Sequence, residues 1–159
     1  MNFVLRFVFL VSTSVWVGGI AFFSFGVAPR LFAQFPRGEA GDIVGTLFPV
    51  YYASGCGAGV LSVLAAFSLW WRGGERLWLT VLLSSALMLG ASAYAATVVH
   101  PRAAALREKM KAEPAAEGGA PAEFGVAFAS LHRSAVRLNG FVLAAGLANL
   151  ALVASRIRP

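Results

Sequence analysis

Cysteine is almost missing from this 159-residue chain, which has Cys56 alone. One thiol excludes an intrachain disulfide and the usual cysteine-based zinc sites, and its plainest role is that of a small buried residue in a helix. Acids are scarce too. Seven Asp and Glu stand against thirteen Lys and Arg, a formal charge of +6, and no two carboxylates share an apolar run where they would do acid–base work. There is no glycine-rich nucleotide loop and no nucleophile with a base beside it. The positive balance does not point to nucleic acid, because the cations stand at the ends of apolar runs and form no stripe or patch. They read as membrane-interface anchors. These absences lean toward a non-enzymatic protein without a resident cofactor.

What the chain has is apolar length. Its hydrophobic content is 58% and its mean hydropathy +0.74, well above the roughly 45–50% apolar content of soluble domains. Four runs, near residues 3–28, 43–71, 77–99 and 124–155, each reach the 20 or so residues that cross a bilayer. The fold class expected is all-α, a single integral membrane domain over 1–159 built as a four-helix up-and-down bundle, with the lipid bilayer as its surroundings.

The punctuation between runs is specific. Pro29-Arg30 predicts the end of the first helix, and the polar link from Gln34 to Asp42 is a turn. Pro49 kinks the second run. Arg72-Gly73-Gly74-Glu75-Arg76 is a tight hairpin, flanked by Trp70, Trp71 and Trp78 as an interfacial aromatic belt would be. His100-Pro101 predicts the end or a bend of the third helix. Residues 102–122 form a polar loop, whose part through Arg107, Glu108, Lys109 and Lys111 prolongs the helix into water and whose later part is a flexible linker. Lys and Arg are more numerous on the loop side than on the side of the termini, which assigns the loops to the cytoplasm of, most simply, a bacterial inner membrane.

Small residues set the packing faces. Ser14 with Gly18, and Gly55 with Gly59, are small pairs one turn apart, and Trp16 beside Gly18-Gly19 marks a close packing point. On the last run His132, Ala135, Asn139, Val142, Gly146 and Asn149 share one alternating three-and-four spacing, a single helical stripe. An imidazole and two carboxamides cannot comfortably face lipid, so this seam is expected to face protein. The glycine faces of the first two helices leave a homo-oligomer or a membrane partner subunit open.

Antiparallel packing brings His100, His132, Arg30, Asp42 and Arg137 toward one rim, with Asn139 about two turns below His132. Asp42 is the best placed partner for Arg137. Tyr51 and Tyr52 are either interface aromatics or the lining of a polar cleft. Three readings of this rim compete: a packing seam of satisfied amides, a small-solute or ion path along His132, Asn139 and Asn149 with Arg137 at its mouth, and haem or copper ligation by His100 and His132.

Phe128-Ala129-Ser130-Leu131-His132 followed by Asn139 resembles the signature of the transmembrane protein 205-like family. Leu47-Phe48-Pro49-Val50-Tyr51 looks like that family's opening of the second span, Trp16 near glycine fits the first, and Pro101-Arg102 fits the end of the third. The resemblance implies a four-span membrane domain of unassigned activity, known in bacteria as a domain of unknown function. It marks Trp16, Phe48, Pro49, Tyr51, Pro101, His132 and Asn139 as family-type positions. The chain departs from the pattern at His100, where members can carry an acid, and at Ala135 and Val136, where serines are expected. A Trp-Gly first span is also shared with four-span haem or copper families of the copper-resistance D-like and protoporphyrinogen-oxidase-like kinds.

Overall fold

Inside hydrocarbon a backbone amide finds no water, so an apolar run closes its hydrogen bonds within itself as a helix. The computed structural model describes residues 2–112 and 122–156. It contains four long helices: α1 over Asn2–Gln34, α2 over Arg37–Gly73, α3 over Arg76–Lys111 and α4 over Ala122–Ala154. Each is long and apolar enough to cross a membrane, and each turns large apolar side chains outward. Phe3 on α1 is 79% exposed, Val50 on α2 72%, Leu87 on α3 66% and Val126 on α4 67%. A surface of that kind belongs against lipid, and the chain is an integral membrane protein.

α1 packs against α2 and α4, and α3 against the same two, which makes a four-helix bundle. The α2–α3 connection is the expected tight hairpin. Gly74 adopts φ 64, a left-handed conformation that suits glycine beyond a helix end, and its N–H donates to the Trp70 carbonyl at 2.7 Å. At this end of the bundle Phe9 packs edge-on against Trp78, with ring centroids 5.7 Å apart, among Ala65, Ala66, Leu69, Val81 and Val153. Trp16, Ile20, Ala58, Met88 and Val142 form a second buried cluster.

Pro29 does not end its helix, contrary to the sequence expectation, and at Pro101, where an end or a bend was expected, the helix continues. A π-helical turn precedes each proline, Phe22–Val27 in α1 and Ala95–Val99 in α3. A proline ring crowds the carbonyl four residues earlier, and those residues, Phe25 and Thr97, both lie inside the widened turns. The wider turn accommodates the ring, and the helix runs on to Gln34 in α1 and past Pro101 through Lys111 in α3, its last segment being His100–Ala112. The polar stretch after Pro101 is therefore a helical extension as far as Ala112. Residues 113–121, expected as a flexible linker, lie outside the described residues.

The small pairs divide. Gly59 faces the bundle, and a Cβ built there would stand 2.8 Å from Cη2 of Trp16 and 3.0 Å from Leu89. Gly55 lies under the same indole, where an added Cβ would stand 3.3 Å from its Nε1. Ser14 and Gly18 do not pack as expected: both are exposed, and a Cβ at Gly18 would meet open space. The neighbours Ser12 and Thr13 turn inward instead.

Candidate functional site

The tryptophans at the hairpin fix one membrane boundary, and about 20 residues, or about 30 Å, from there lies the other. That count reaches Val50 on α2, Val98 on α3 and Ser134 on α4. At this second boundary five rings from three helices meet. The Phe23 ring of α1 lies 4.8 Å from Tyr51 and 5.5 Å from Phe48 of α2, between centroids, and His100 of α3 lies 5.1 Å from Phe48 and 5.8 Å from Tyr52. Tyr51 and Tyr52 are 5.0 Å apart. Both π turns contribute: Phe23 is inside one and His100 directly follows the other. Turns of this type recur where a helix must re-aim side chains.

Just beneath the rings is a cleft of about 30 Å³, lined by Trp16, Tyr51, Tyr52, Ser54, Ser92 and Asn139, with Val15, Gly19, Ile20 and Gly55 completing its wall. Space of that size admits one or two waters or an equally small group. The Tyr51 hydroxyl oxygen is buried here and has no hydrogen-bond partner among the described residues. Its polar neighbour is the Asn139 carboxamide, close enough to interact but outside hydrogen-bond geometry. A buried hydroxyl without a partner is costly, and that cost focuses attention on what else enters the cleft.

The seam on α4 faces protein from Ala135 downward. Val142, Gly146 and Asn149 are buried, and Ala135 and Asn139 are half-buried. Asn149 donates to Ser85 Oγ at 3.3 Å and to Met88 Sδ at 3.6 Å. Between the two asparagines the stripe is packed by Val142 and by Gly146, which lies directly against Val17 and 3.0 Å from Met88 measured at an added Cβ. His132 departs from the expected seam: it is exposed, sitting about 60° to one side of Ala135 on the helical wheel.

The remaining rim residues separate. Asp42 does not pair with Arg137. It accepts from Arg107 at 3.1 Å and from Lys111 at 2.6 Å, while Lys111 also reaches Glu108 at 3.3 Å. The reason is the helical extension beyond Pro101, which carries both cations back over the start of α2. Arg107 lies flat on Gly41, where any Cβ would collide with its guanidinium, and also donates to the Gly38 carbonyl. Asp42 is 28 residues before Trp70, about 42 Å along the helix and outside the hydrocarbon. There the hydrogen bond from Lys111 and the charge of Arg107 hold its carboxyl below the ordinary value. Arg30 and Arg137 are both exposed. His100 is half-buried among the rings. Among the described residues, no group of three or more His, Cys, Asp or Glu side chains is placed to hold a metal ion.

Sequence reasoning missed one polar cluster. Ser62 of α2 bridges Ser12 at 2.8 Å and Thr13 at 3.0 Å of α1, all three buried. The only sequence signal was their small size, which hydroxyl residues share with those that merely back-bond to their own helix, as Ser68, Thr80 and Thr97 do. Ser54 of the cleft was equally silent, while Ser92 stood out only as one of several hydroxyls on the third run.

A family model described as a domain of unknown function, DUF4149, matches residues 11–112. That stretch holds Trp16, Tyr51, Ser92 and His100, and ends before Asn139. No curated protein and no solved structure matches the chain.

Proposed function

Since the chain belongs to the DUF4149 family, whose function is unknown, we propose from the cleft that it is a non-enzymatic membrane protein holding one small hydrogen-bonding solute, or the polar end of a larger molecule, at the membrane boundary. The observation that carries this reading is the buried Tyr51 hydroxyl, which has no hydrogen-bond partner among the described residues and lines, together with Asn139, a cleft large enough for such a group. Trp16 and the ring layer would shield the bound group, and Ser92 adds a hydroxyl at the wall, while Ser54 donates to the Tyr51 carbonyl and offers only its oxygen as an acceptor. The finer kinship to the transmembrane protein 205-like family would rest on Trp16, Phe48, Pro49, Tyr51, Pro101, His132 and Asn139, of which Trp16, Tyr51 and Asn139 line the cleft. A bacterial inner membrane with the loops in the cytoplasm remains the orientation proposed from the excess of Lys and Arg on that side.

The sign of one substitution tests the reading. If a bound group satisfies the Tyr51 hydroxyl, Tyr51→Phe removes a bond and lowers the stability of the purified protein by about 1 kcal/mol. If the hydroxyl stays unpaired, the same change removes a desolvation penalty and raises stability, and the proposal fails. Passage of the solute across the bilayer is the stronger form. It expects flux in proteoliposomes that Asn139→Ala abolishes, because Asn139 lines the cleft and the exposed His132 does not. Haem or copper on His100 and His132 is the competing reading, and it requires a stoichiometric absorption band or bound metal that His132→Ala removes.

A further inference from the structure

Arg133 and Arg137 lie one turn apart on α4, diametrically opposite Ala135 on the helical wheel, so both leave the bundle on its lipid side. Both are exposed, and the exposed residues along the same face include Val126 and Phe141. Counting from Ala154, Arg137 stands about 26 Å and Arg133 about 32 Å from the hairpin boundary. With a hydrocarbon core about 30 Å thick, Arg137 is just inside the far edge and Arg133 at it.

A guanidinium at that depth needs an anionic partner. Asp42, the carboxylate expected to serve, is engaged by Arg107 and Lys111. Among the described residues no ion pair involves Arg133 or Arg137. The anion that lies at this depth outside a membrane helix is a lipid phosphate. The two arginines start about 6 Å apart along the helix axis, so both guanidiniums can reach one phosphate, with Ser130 exposed one turn above Arg133.

We propose that Arg133 and Arg137 form a binding site for the headgroup of an acidic phospholipid, on the outer face of α4. The site is independent of the Tyr51 cleft. The arginines hold the phosphate, and Phe141 and Val136 lie beside the acyl chains. The surface charge of acidic lipid adds to the attraction for each cation.

The test places the full-length protein in bilayer discs of equal phosphatidylglycerol and phosphatidylcholine, extracts it gently, and weighs the retained lipids by native mass spectrometry. Phosphatidylglycerol is expected in excess by about tenfold, and the excess is expected to vanish in the Arg133→Gln, Arg137→Gln double variant with helical content unchanged. Arg137→Gln alone, which serves if the double variant does not fold, is expected to lose at least half of that preference. Equal retention of the two lipids by the wild type overturns the site, as does a preference that survives these substitutions. In a parallel arm, inorganic phosphate at the same phosphorus concentration is expected to leave thermal stability unchanged. An increase matching that from phosphatidylglycerol would assign the site to free phosphate and overturn the lipid headgroup.

Discussion

Gly59 lies beneath the indole of Trp16 so closely that a methyl group there would come within 2.8 Å of the ring. Trp16 is itself 2% exposed and caught between α2 and α4, so it has nowhere to retreat.

Gly59→Ala is therefore expected to destabilise the protein by about 1–3 kcal/mol, the cost of overpacking a filled core. Gly146→Ala, aimed at the β-branched and hence stiff Val17, should cost a similar amount. Gly18→Ala meets open space and should be neutral or mildly stabilising. Thermal midpoints of the three purified variants check the ordering, and equal midpoints would refute the packing account.

Ser62→Ala removes the hydroxyl that joins Ser12 and Thr13. Ser12 keeps its bonds to the Val8 and Phe9 carbonyls, while Thr13 loses the partner described for its hydroxyl. The expected loss is about 0.6–1.7 kcal/mol, the range of interhelical hydrogen bonds in membranes. A double-mutant cycle with Thr13→Val isolates the coupling.

Asn149→Leu should destabilise through two routes, the lost bonds to Ser85 and Met88 and the larger branched side chain at a fully packed point. Solute binding at the cleft should persist in the variant, because Val142 and Gly146 separate Asn149 from Asn139 on α4. Loss of binding in a well-folded Asn149→Leu protein would show instead that the two asparagines act together.

The Arg107 clasp on α2 should respond to acid. The Asp42 carboxyl is held below its ordinary 3.8, so its contribution is present above that value and disappears as the pH falls through the lowered one. The pair is exposed and screened, so little global stability is at stake. The expected readout is local: lower amide protection over residues 104–112 in acid, relative to the intrinsic exchange rate at each pH, reproduced at neutral pH by Asp42→Asn. Unchanged exchange in both cases would count against the clasp.

How much of this was legible in the sequence depended on whether the signal was local. The four crossings and the Trp-flanked hairpin followed from hydropathy and residue type, whereas Trp16 was set beside Gly18 and Gly19 and packs instead on Gly55 and Gly59 of α2. Asn139 and Asn149 were placed correctly because a 3.6-residue period needs no tertiary knowledge. Asp42 was given the wrong partner although the helix was expected to run on through Lys111, because the direction of that extension over α2 is set by the π turn before Pro101, which no single residue announces. Ser14 and Gly18 failed for another reason. A small face is equally suited to a neighbouring helix or to lipid, and the inward direction was set by Ser12, Thr13 and Trp16. Tyr51 was left between interface and cleft, since only its position against Phe23 and Phe48 decides the matter.

A π turn is a helix holding one surplus residue, and the surplus has a rotational meaning. Each residue turns an α-helix by about 100°, so everything beyond Ala95–Val99 is phased differently from Trp78 to Ser92 on the same α3. Deleting one residue from that turn would swing His100 about a quarter-turn away from Phe48 and Tyr52 and would lift Arg107 off Gly41, while the packing near the hairpin kept its register. The two widened turns thus work as phase shifters, letting the rim of the bundle vary its side-chain directions independently of the core that holds it in the membrane.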